Sequence, residues 1–132
     1  FSGAGFHTGV VVARNRDSGQ ALADRLGYSY AADIEGVTAP IIVNVTPIGM
    51  AGGVGEDDVA FADATIRQAR TVFDVVALPS ETPPIAAARA AGVDVITGAQ
   101  VIALQAAEQF ERYTGVRPSP EQIAEASALS RA

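Results

Sequence analysis

The stretch GAGFHTGVVVARN, residues 3–15, sets three glycines beside an apolar run, as the glycine fingerprint of dinucleotide-binding domains does. In that fingerprint the loop follows a strand and opens a helix, so that the helix N-terminus faces the phosphates. Here the order is reversed, because the β-branched run 10–14 comes after the glycines and no strand precedes them. We therefore interpret residues 3–5 as a helix end and residues 7–9, with the single histidine His7, as a turn.

Beyond this stretch the sequence alternates short β-branched runs with longer helical patterns. Apolar runs typical of buried parallel strands lie at 10–14, 40–45, 72–77 and 93–97. Amphipathic patterns predict helices over 17–27, 59–69, 84–91, 98–113 and 120–130. The first of these opens with Asp17 and Gln20 in the spacing of a capping box. Strands that alternate with helices predict one α/β domain with a parallel sheet covered on both faces.

The composition excludes several kinds of partner and chemistry. The formal net charge is −6 and all nine basic residues are arginine, so we expect no nucleic-acid partner. Every uninterrupted apolar run is far shorter than the roughly 20 residues of a membrane span, so we expect no membrane association. The absence of cysteine excludes disulfides and thiolate metal sites and fits a cytoplasmic, reducing compartment. Nothing in the sequence indicates a metal.

A second glycine-rich segment, 49–55, does follow a predicted strand. It lacks the Gly-Lys-Ser/Thr ending of a phosphate-binding loop, because the sequence contains no lysine. If the chain binds a dinucleotide, residues 1–132 therefore contain no pyrophosphate loop for it.

Three ordered motifs resemble one enzyme family. The segment 44–50, NVTPIGM, is similar to N-A-T-P-L-G-M, and 74–77, DVVA, followed by Thr82 and Pro83, is similar to D-V-V-Y…T-P. The pattern Gly98-x-x-Val101-Ile102-x-x-Gln105-Ala106, with Phe110 and then YTG at 113–115, is similar to G-x-x-M-L-x-x-Q-A-x-x-x-F and W-T-G. The chain thus resembles the C-terminal, cofactor-binding half of the shikimate dehydrogenases, in particular their shikimate dehydrogenase-like branch.

The resemblance implies a Rossmann-like, doubly wound parallel sheet that is incomplete in this chain. Residues 1–6 would end the first helix, so the first strand, its glycine-rich loop and the substrate domain would lie upstream of Phe1. The catalytic Lys–Asp pair of the family would lie there too, so we expect no catalytic residue in this chain and no activity from it alone. Residues 1–132 would be the cofactor-binding domain, with its C-terminal helices over 98–130. The partners implied are the N-terminal half of the same enzyme and a small-molecule substrate.

The resemblance places an NADP site at the end of the strand 10–14. Arg14 aligns with the family's arginine for the 2′-phosphate, between Ala13 and Asn15, and Arg16 is a possible second contact. Asp17 favours the alternative, because an acidic residue after this strand can bind the ribose 2′-hydroxyl and select NAD. We interpret Asp17 as a helix cap and expect NADP, with NAD as the alternative.

The remaining predicted site residues follow the later strands. Asn44, Val45 and Thr46 end the strand 40–45, where ligands of open α/β sheets bind, and the resemblance implies that backbone groups at 45 and 46 contact the cofactor. Gly98 and Val101 begin the long helix, and Gly98 would allow a nicotinamide to approach closely. Gln105, on the same helix face, would contact the substrate. Ala77 stands where the family has a substrate-binding tyrosine.

Two functions of different class follow from these observations. The first is the cofactor-binding part of an NADP-dependent oxidoreductase that transfers hydride between a nicotinamide and a cyclic hydroxy acid such as shikimate. The alternative is a non-catalytic nucleotide-binding domain of the sensor type. A receiver-type signalling domain is disfavoured because it requires a lysine, which this sequence lacks.

Overall fold

The structure, a computed structural model, describes residues 2–130, so Phe1 and its predicted place in a helix end lie outside the described residues. It divides into two compact units, Phe1–Thr38 and Ala39–Ala132. The assignment of residues 1–132 to one cofactor-binding domain stays a prediction. Among the described residues, no helix combines the length and the apolar character that crossing a membrane requires.

The first unit is a single βαβ motif. A 3-10 turn, Ser2–Ala4, precedes strand β1 (Val10–Val12), helix α1 (Arg16–Leu26) and strand β2 (Ser29–Ala31). The two strands are parallel, with Val10 opposite Ser29 and Val12 opposite Ala31. Helix α1 ends at Gly27, which has φ 71°, a left-handed backbone conformation that glycine adopts without strain.

The sequence patterns missed one strand of this unit, and one predicted helix cap is wrong. Strand β2 was not predicted, because only Tyr30 of its three residues, Ser-Tyr-Ala, favours a strand, and the element depends on pairing with β1. The N-cap of α1 is Asn15, not Asp17, since the Asn15 side chain accepts a hydrogen bond from the Ser18 backbone N–H. The Gln20 side chain, which the predicted capping box required, instead donates to Asp24 at 2.7 Å.

The second unit contains a three-stranded parallel sheet and four helices among its described residues. Its elements in chain order are β3 (Ile41–Asn44), α2 (Asp63–Gln68), β4 (Thr71–Asp74), α3 (Pro83–Ala90), β5 (Asp94–Thr97), α4 (Gly98–Thr114) and α5 (Pro120–Leu129). The strand order is β3-β4-β5, and all pairs are parallel. The separation of five strands into two sheets agrees with the prediction of an incomplete doubly wound sheet.

The core of the second unit lies between the sheet and helices α2 and α3. Helix α3 packs on β4 and β5, and α2 packs on α3. The buried side chains here include Ile42, Ile66, Val72, Ile85 and Ala88. Burial alternates along β3 and β4, so the prediction that the strands are buried on both faces is wrong for the described residues. Helix α3 covers one face of the sheet. The alternate residues of β3 and β4, which point to the other face, are half-buried.

Several predicted boundaries differ from the observed ones. Strand β4 ends at Asp74 rather than at residue 77, because the Asp74 side chain bonds the backbone N–H of Val76 and turns the chain away from the ladder. Helix α2 begins at Asp63, four residues later than predicted. Helix α4 matches its predicted span to within one residue, since Thr97 caps its start and Gly115, with φ 74°, ends it.

Candidate functional site

The carboxyl ends of the second unit's strands carry a row of three buried polar residues. Asn44, Asp74 and Thr97 are the last residues of β3, β4 and β5, and they are direct partners in the register of the sheet. Their exposed fractions are 2%, 0% and 5%. Ligands of open parallel sheets bind outside this edge, so the way these residues hold the following loops shapes the candidate site.

Asn44 holds the loop that contains the predicted cofactor residues Val45 and Thr46. Its amide nitrogen donates to the Ile48 carbonyl oxygen at 3.2 Å and to Asp74 Oδ1 at 3.1 Å. Its Oδ1 accepts from the Thr46 backbone N–H at 3.0 Å and from the Thr46 hydroxyl at 2.7 Å. These four bonds use the full capacity of an asparagine side chain. A cofactor contact predicted for Asn44 would therefore have to come from its backbone.

Asp74 joins three segments through one buried carboxylate. Oδ1 accepts from Asn44 and from the Val76 backbone N–H, the latter at 2.9 Å, and Oδ2 accepts from the Thr82 hydroxyl at 2.7 Å. Thr82 is itself fully buried just before α3. Asp74 and Thr82 belong to the motif that resembles D-V-V-Y…T-P, but this buried network was not predicted for them. The signal for their role was a charged residue that ends an otherwise apolar strand.

The start of α4 is fixed by a capping box and by a close backbone approach. The Thr97 hydroxyl accepts from the Gln100 backbone N–H at 3.3 Å, and Gln100 Oε1 accepts from the Thr97 backbone N–H at 2.9 Å. A Cβ added to Gly98 would lie 2.5 Å from the Val76 carbonyl oxygen and as close to that of Val75. Gly98 was predicted to make room for a nicotinamide, but the structure already requires glycine here for packing.

The predicted residues of α4 lie along one face of that helix. Val101 and Gln105 line a shallow, open groove of about 490 Å³ together with Leu104, Glu108, Gln109 and Arg112. Val101 is half-buried and Gln105 is exposed. Ala77, which follows β4, is half-buried. Ala77 is not among the residues that line the groove, and the roles of Gln105 and Ala77 stay predictions.

An ion-pair cluster lies at the far end of the same helix. Arg117, in the connection to α5, donates to the carboxylates of Glu108 and Glu111, each at 2.6 Å. The hydrogen bond from Arg117 lowers the pKa of Glu108 below its ordinary value, and the positive charge of Arg117 adds a smaller effect in the same direction. The hydrogen bonds to Glu108 and Glu111 raise the pKa of Arg117. All three side chains are about half exposed, so the cluster fixes the local geometry more than it stabilises the fold.

The other predicted cofactor residues lie in the first unit, at the turn from β1 to α1. Arg14 and Arg16 are exposed, and neither forms an ion pair with any residue of the described range 2–130. Asn15, between them, has its side chain engaged in the helix cap. Asp17 lies in the first turn of α1 without a capping bond, so the reason given for setting aside its NAD-selecting role is wrong.

Comparison with known proteins relates this arrangement to one group of enzymes. No family model matches the sequence. A shikimate dehydrogenase-like protein of Haemophilus influenzae is 53% identical over 131 residues, which cover 99% of this chain and 48% of that protein. The solved structure of a shikimate 5-dehydrogenase-like protein matches with a TM-score of 0.95 at 52% identity, over 98% of this chain and 48% of that chain.

Two structures with bound cofactors are also similar. Quinate dehydrogenase from Corynebacterium glutamicum, in complex with NAD, matches with a TM-score of 0.78 at 29% identity, over 98% of this chain and 48% of that chain. Shikimate 5-dehydrogenase from Thermus thermophilus, in complex with NADP(H) and shikimate, matches with a TM-score of 0.75 at 26% identity, over 90% of this chain and 44% of that chain.

The chain spans about half the length of the relatives described above. Likeness in sequence over nearly the whole chain, together with the shared Rossmann-like fold, confirms the resemblance found in the motifs. The chain belongs to the shikimate dehydrogenase family and corresponds to the C-terminal half of a shikimate dehydrogenase-like protein.

Proposed function

We propose that this chain is the cofactor-binding part of an NADP-dependent oxidoreductase that acts on a cyclic hydroxy acid of the shikimate type. Relatives are named as shikimate dehydrogenases that use NADP(+), and one similar structure holds NADP(H) and shikimate. The proposal concerns the full-length protein, because this chain corresponds to about half of its relatives.

One observation carries the choice of NADP. Arg14 is exposed directly after the first strand of a βαβ unit, with no carboxylate of the described residues paired to it. An unpaired guanidinium at this position fits the 2′-phosphate of NADP, which it can bind with two parallel hydrogen bonds. Arg16 adds a second positive charge at the first turn of α1. The cofactor, when bound, supplies the hydride acceptor or donor.

The other predicted site residues have complementary tasks in this proposal. The backbone at Val45 and Thr46, held by Asn44, would contact the cofactor. The start of α4, with Gly98 and Val101, would lie beside the nicotinamide. Gln105 would donate to or accept from a substrate hydroxyl or carboxylate. The sequence has no lysine, and His7 is its only histidine, so we expect the proton-transfer residues in the other half of the enzyme.

The test compares cofactors in the full-length protein. Arg14→Ala is expected to weaken NADP binding about tenfold or more, since a hydrogen bond to a charged group contributes about 1.5–3 kcal/mol. NAD binding should change little. Arg25→Ala is the matched control, because Arg25 is an exposed arginine in the last turn of α1, at the opposite end of that helix from Arg14.

Three outcomes would contradict the proposal. If Arg14→Ala lowers the affinities for NADP and NAD equally, Arg14 does not bind the 2′-phosphate. A preference for NAD that is lost in Asp17→Asn would assign the selecting role to Asp17. Binding of either cofactor without turnover of shikimate or quinate by the full-length protein would favour the nucleotide-sensor alternative.

A further inference from the structure

We propose that Tyr30 is a positioning residue for cofactor selection, acting through the backbone that carries Arg14. The inference rests on the proposed function, in which Arg14 binds the 2′-phosphate of NADP. Tyr30 is the central residue of β2.

The hydroxyl of Tyr30 bonds the chain directly before Arg14. It donates to the Ala13 carbonyl oxygen at 2.8 Å, in a partly buried setting. The Ala13 backbone N–H donates to the Ala31 carbonyl oxygen at 3.2 Å, which extends the pairing of β1 and β2 by one residue. Both backbone polar groups of Ala13 are therefore held by β2.

The residue directly after Arg14 is held as well. The Asn15 side chain accepts from the Ser18 backbone N–H at 3.1 Å, and the Asn15 carbonyl oxygen accepts from the Gly19 N–H at 3.0 Å. Arg14 thus lies between two residues that are each held by at least two hydrogen bonds. A bidentate contact between guanidinium and phosphate depends on orientation, so the position of this backbone determines how well Arg14 can bind a 2′-phosphate.

The ring of Tyr30 is held in place by a glycine of α1. A Cβ added to Gly19 would lie 2.6 Å from the Tyr30 ring carbon Cε2 and 2.9 Å from the Ala13 Cβ. The helix, the ring and Ala13 are therefore in close contact, and only glycine leaves room for the ring at this point. Packing fixes the ring, and the hydroxyl adds the bond to Ala13.

The chain offers a matched control in Tyr28. Its hydroxyl donates to the Phe6 carbonyl oxygen at 2.5 Å, so it makes the same kind of bond before β1 rather than after it. Its ring also lies against a glycine, since a Cβ added to Gly9 would come within 2.7 Å of it. Tyr28→Phe and Tyr30→Phe each remove one hydroxyl and keep the ring, and they differ in which end of β1 loses a bond.

The experiment measures the dissociation constants of NADP and NAD for the full-length protein and its variants. Tyr30→Phe is expected to raise the constant for NADP about two- to tenfold, the range that loss of one neutral hydrogen bond produces. The constant for NAD should stay within about twofold, because NAD has no 2′-phosphate. Tyr28→Phe should leave the ratio of the two constants unchanged, although it also removes one hydrogen bond and should lower the thermal midpoint.

Two further variants test whether Tyr30 acts through Arg14 and whether moving its ring has the same effect as removing its hydroxyl. In Arg14→Ala/Tyr30→Phe, the additional effect of the tyrosine change on the ratio should disappear, because it acts through Arg14. Gly19→Ala displaces the Tyr30 ring with its hydroxyl intact and should reproduce the selective loss of NADP affinity if Tyr30→Phe does not fold.

The outcomes separate the inference from the proposed function. If Arg14→Ala weakens NADP selectively and Tyr30→Phe behaves like Tyr28→Phe, the inference about Tyr30 is overturned and the proposed function stands. If Arg14→Ala shows no selectivity, the NADP assignment and the role of Tyr30 are overturned together.

Discussion

Replacement of Asp74 by alanine is expected to destabilise the full-length protein strongly. The Asp74 carboxylate is fully buried and accepts three hydrogen bonds, from Asn44 Nδ2, the Val76 backbone N–H and the Thr82 hydroxyl. Asp74→Ala leaves these three donors without their acceptor in the interior. The loops after β3 and β4 lose their common anchor at the same time.

The magnitude follows from the donors that cannot find another partner. The Thr82 hydroxyl can rotate toward a different acceptor, whereas the Asn44 and Val76 donors are fixed by the sheet and the turn. A buried donor without a partner costs about 1–3 kcal/mol, so two of them and the space left by the carboxylate predict a loss of about 3–5 kcal/mol. Asp74→Asn keeps one oxygen for both fixed donors and an amide that can donate to Thr82, and should cost about 1 kcal/mol.

Urea unfolding of the full-length protein, followed by its midpoint and slope, measures these losses. Asp63→Ala is the control, because Asp63 is also an aspartate of the second unit but pairs with Arg67 on the surface, with 69% of its side chain exposed. Its loss should stay within about 0.5 kcal/mol. An Asp74→Ala protein as stable as Asp63→Ala, or an Asp74→Asn protein less stable than Asp74→Ala, would refute the reasoning.

Three further predictions concern helix α4 and the predicted substrate contact at Ala77. Gly98→Ala should lower stability by about 1–3 kcal/mol despite alanine's higher helix propensity, because its Cβ would collide with the Val76 carbonyl oxygen; a stability gain in urea unfolding would contradict this. Since Arg117 lowers the pKa of Glu108, this pair stabilises the fold above the ordinary carboxyl pKa and ceases to do so as the pH falls through the lowered value. An NMR titration of Arg117→Gln should show the Glu108 pKa rising toward its ordinary value, and an unchanged pKa would refute the assignment. Ala77→Tyr should raise kcat/KM for shikimate by about two- to tenfold, the worth of one regained hydrogen bond; no change would show that this position does not contact substrate.

Local signals in the sequence were sufficient for the fold class, the family and most helix ends. β-branched runs and helical periodicity do not depend on distant residues, so the alternation of strands and helices and the parallel sheet could be predicted. The span of α4 was predicted to within one residue because Thr97 and Gly115 act on their immediate neighbours. Asn15 and Asp17 are equally suitable caps, and for this reason the sequence did not distinguish them at the start of α1.

Contacts between distant residues were decided by the tertiary structure. Strand β2 exists because it pairs with β1, about 20 residues earlier in the chain. The bond between Asn44 and Asp74 joins residues 30 positions apart, and the glycine requirement at residue 98 arises from carbonyl groups of Val75 and Val76. Sequence patterns report which residues prefer a strand, a cap or a turn. They do not report which side chains meet across a sheet, because that depends on the register in which the strands pair.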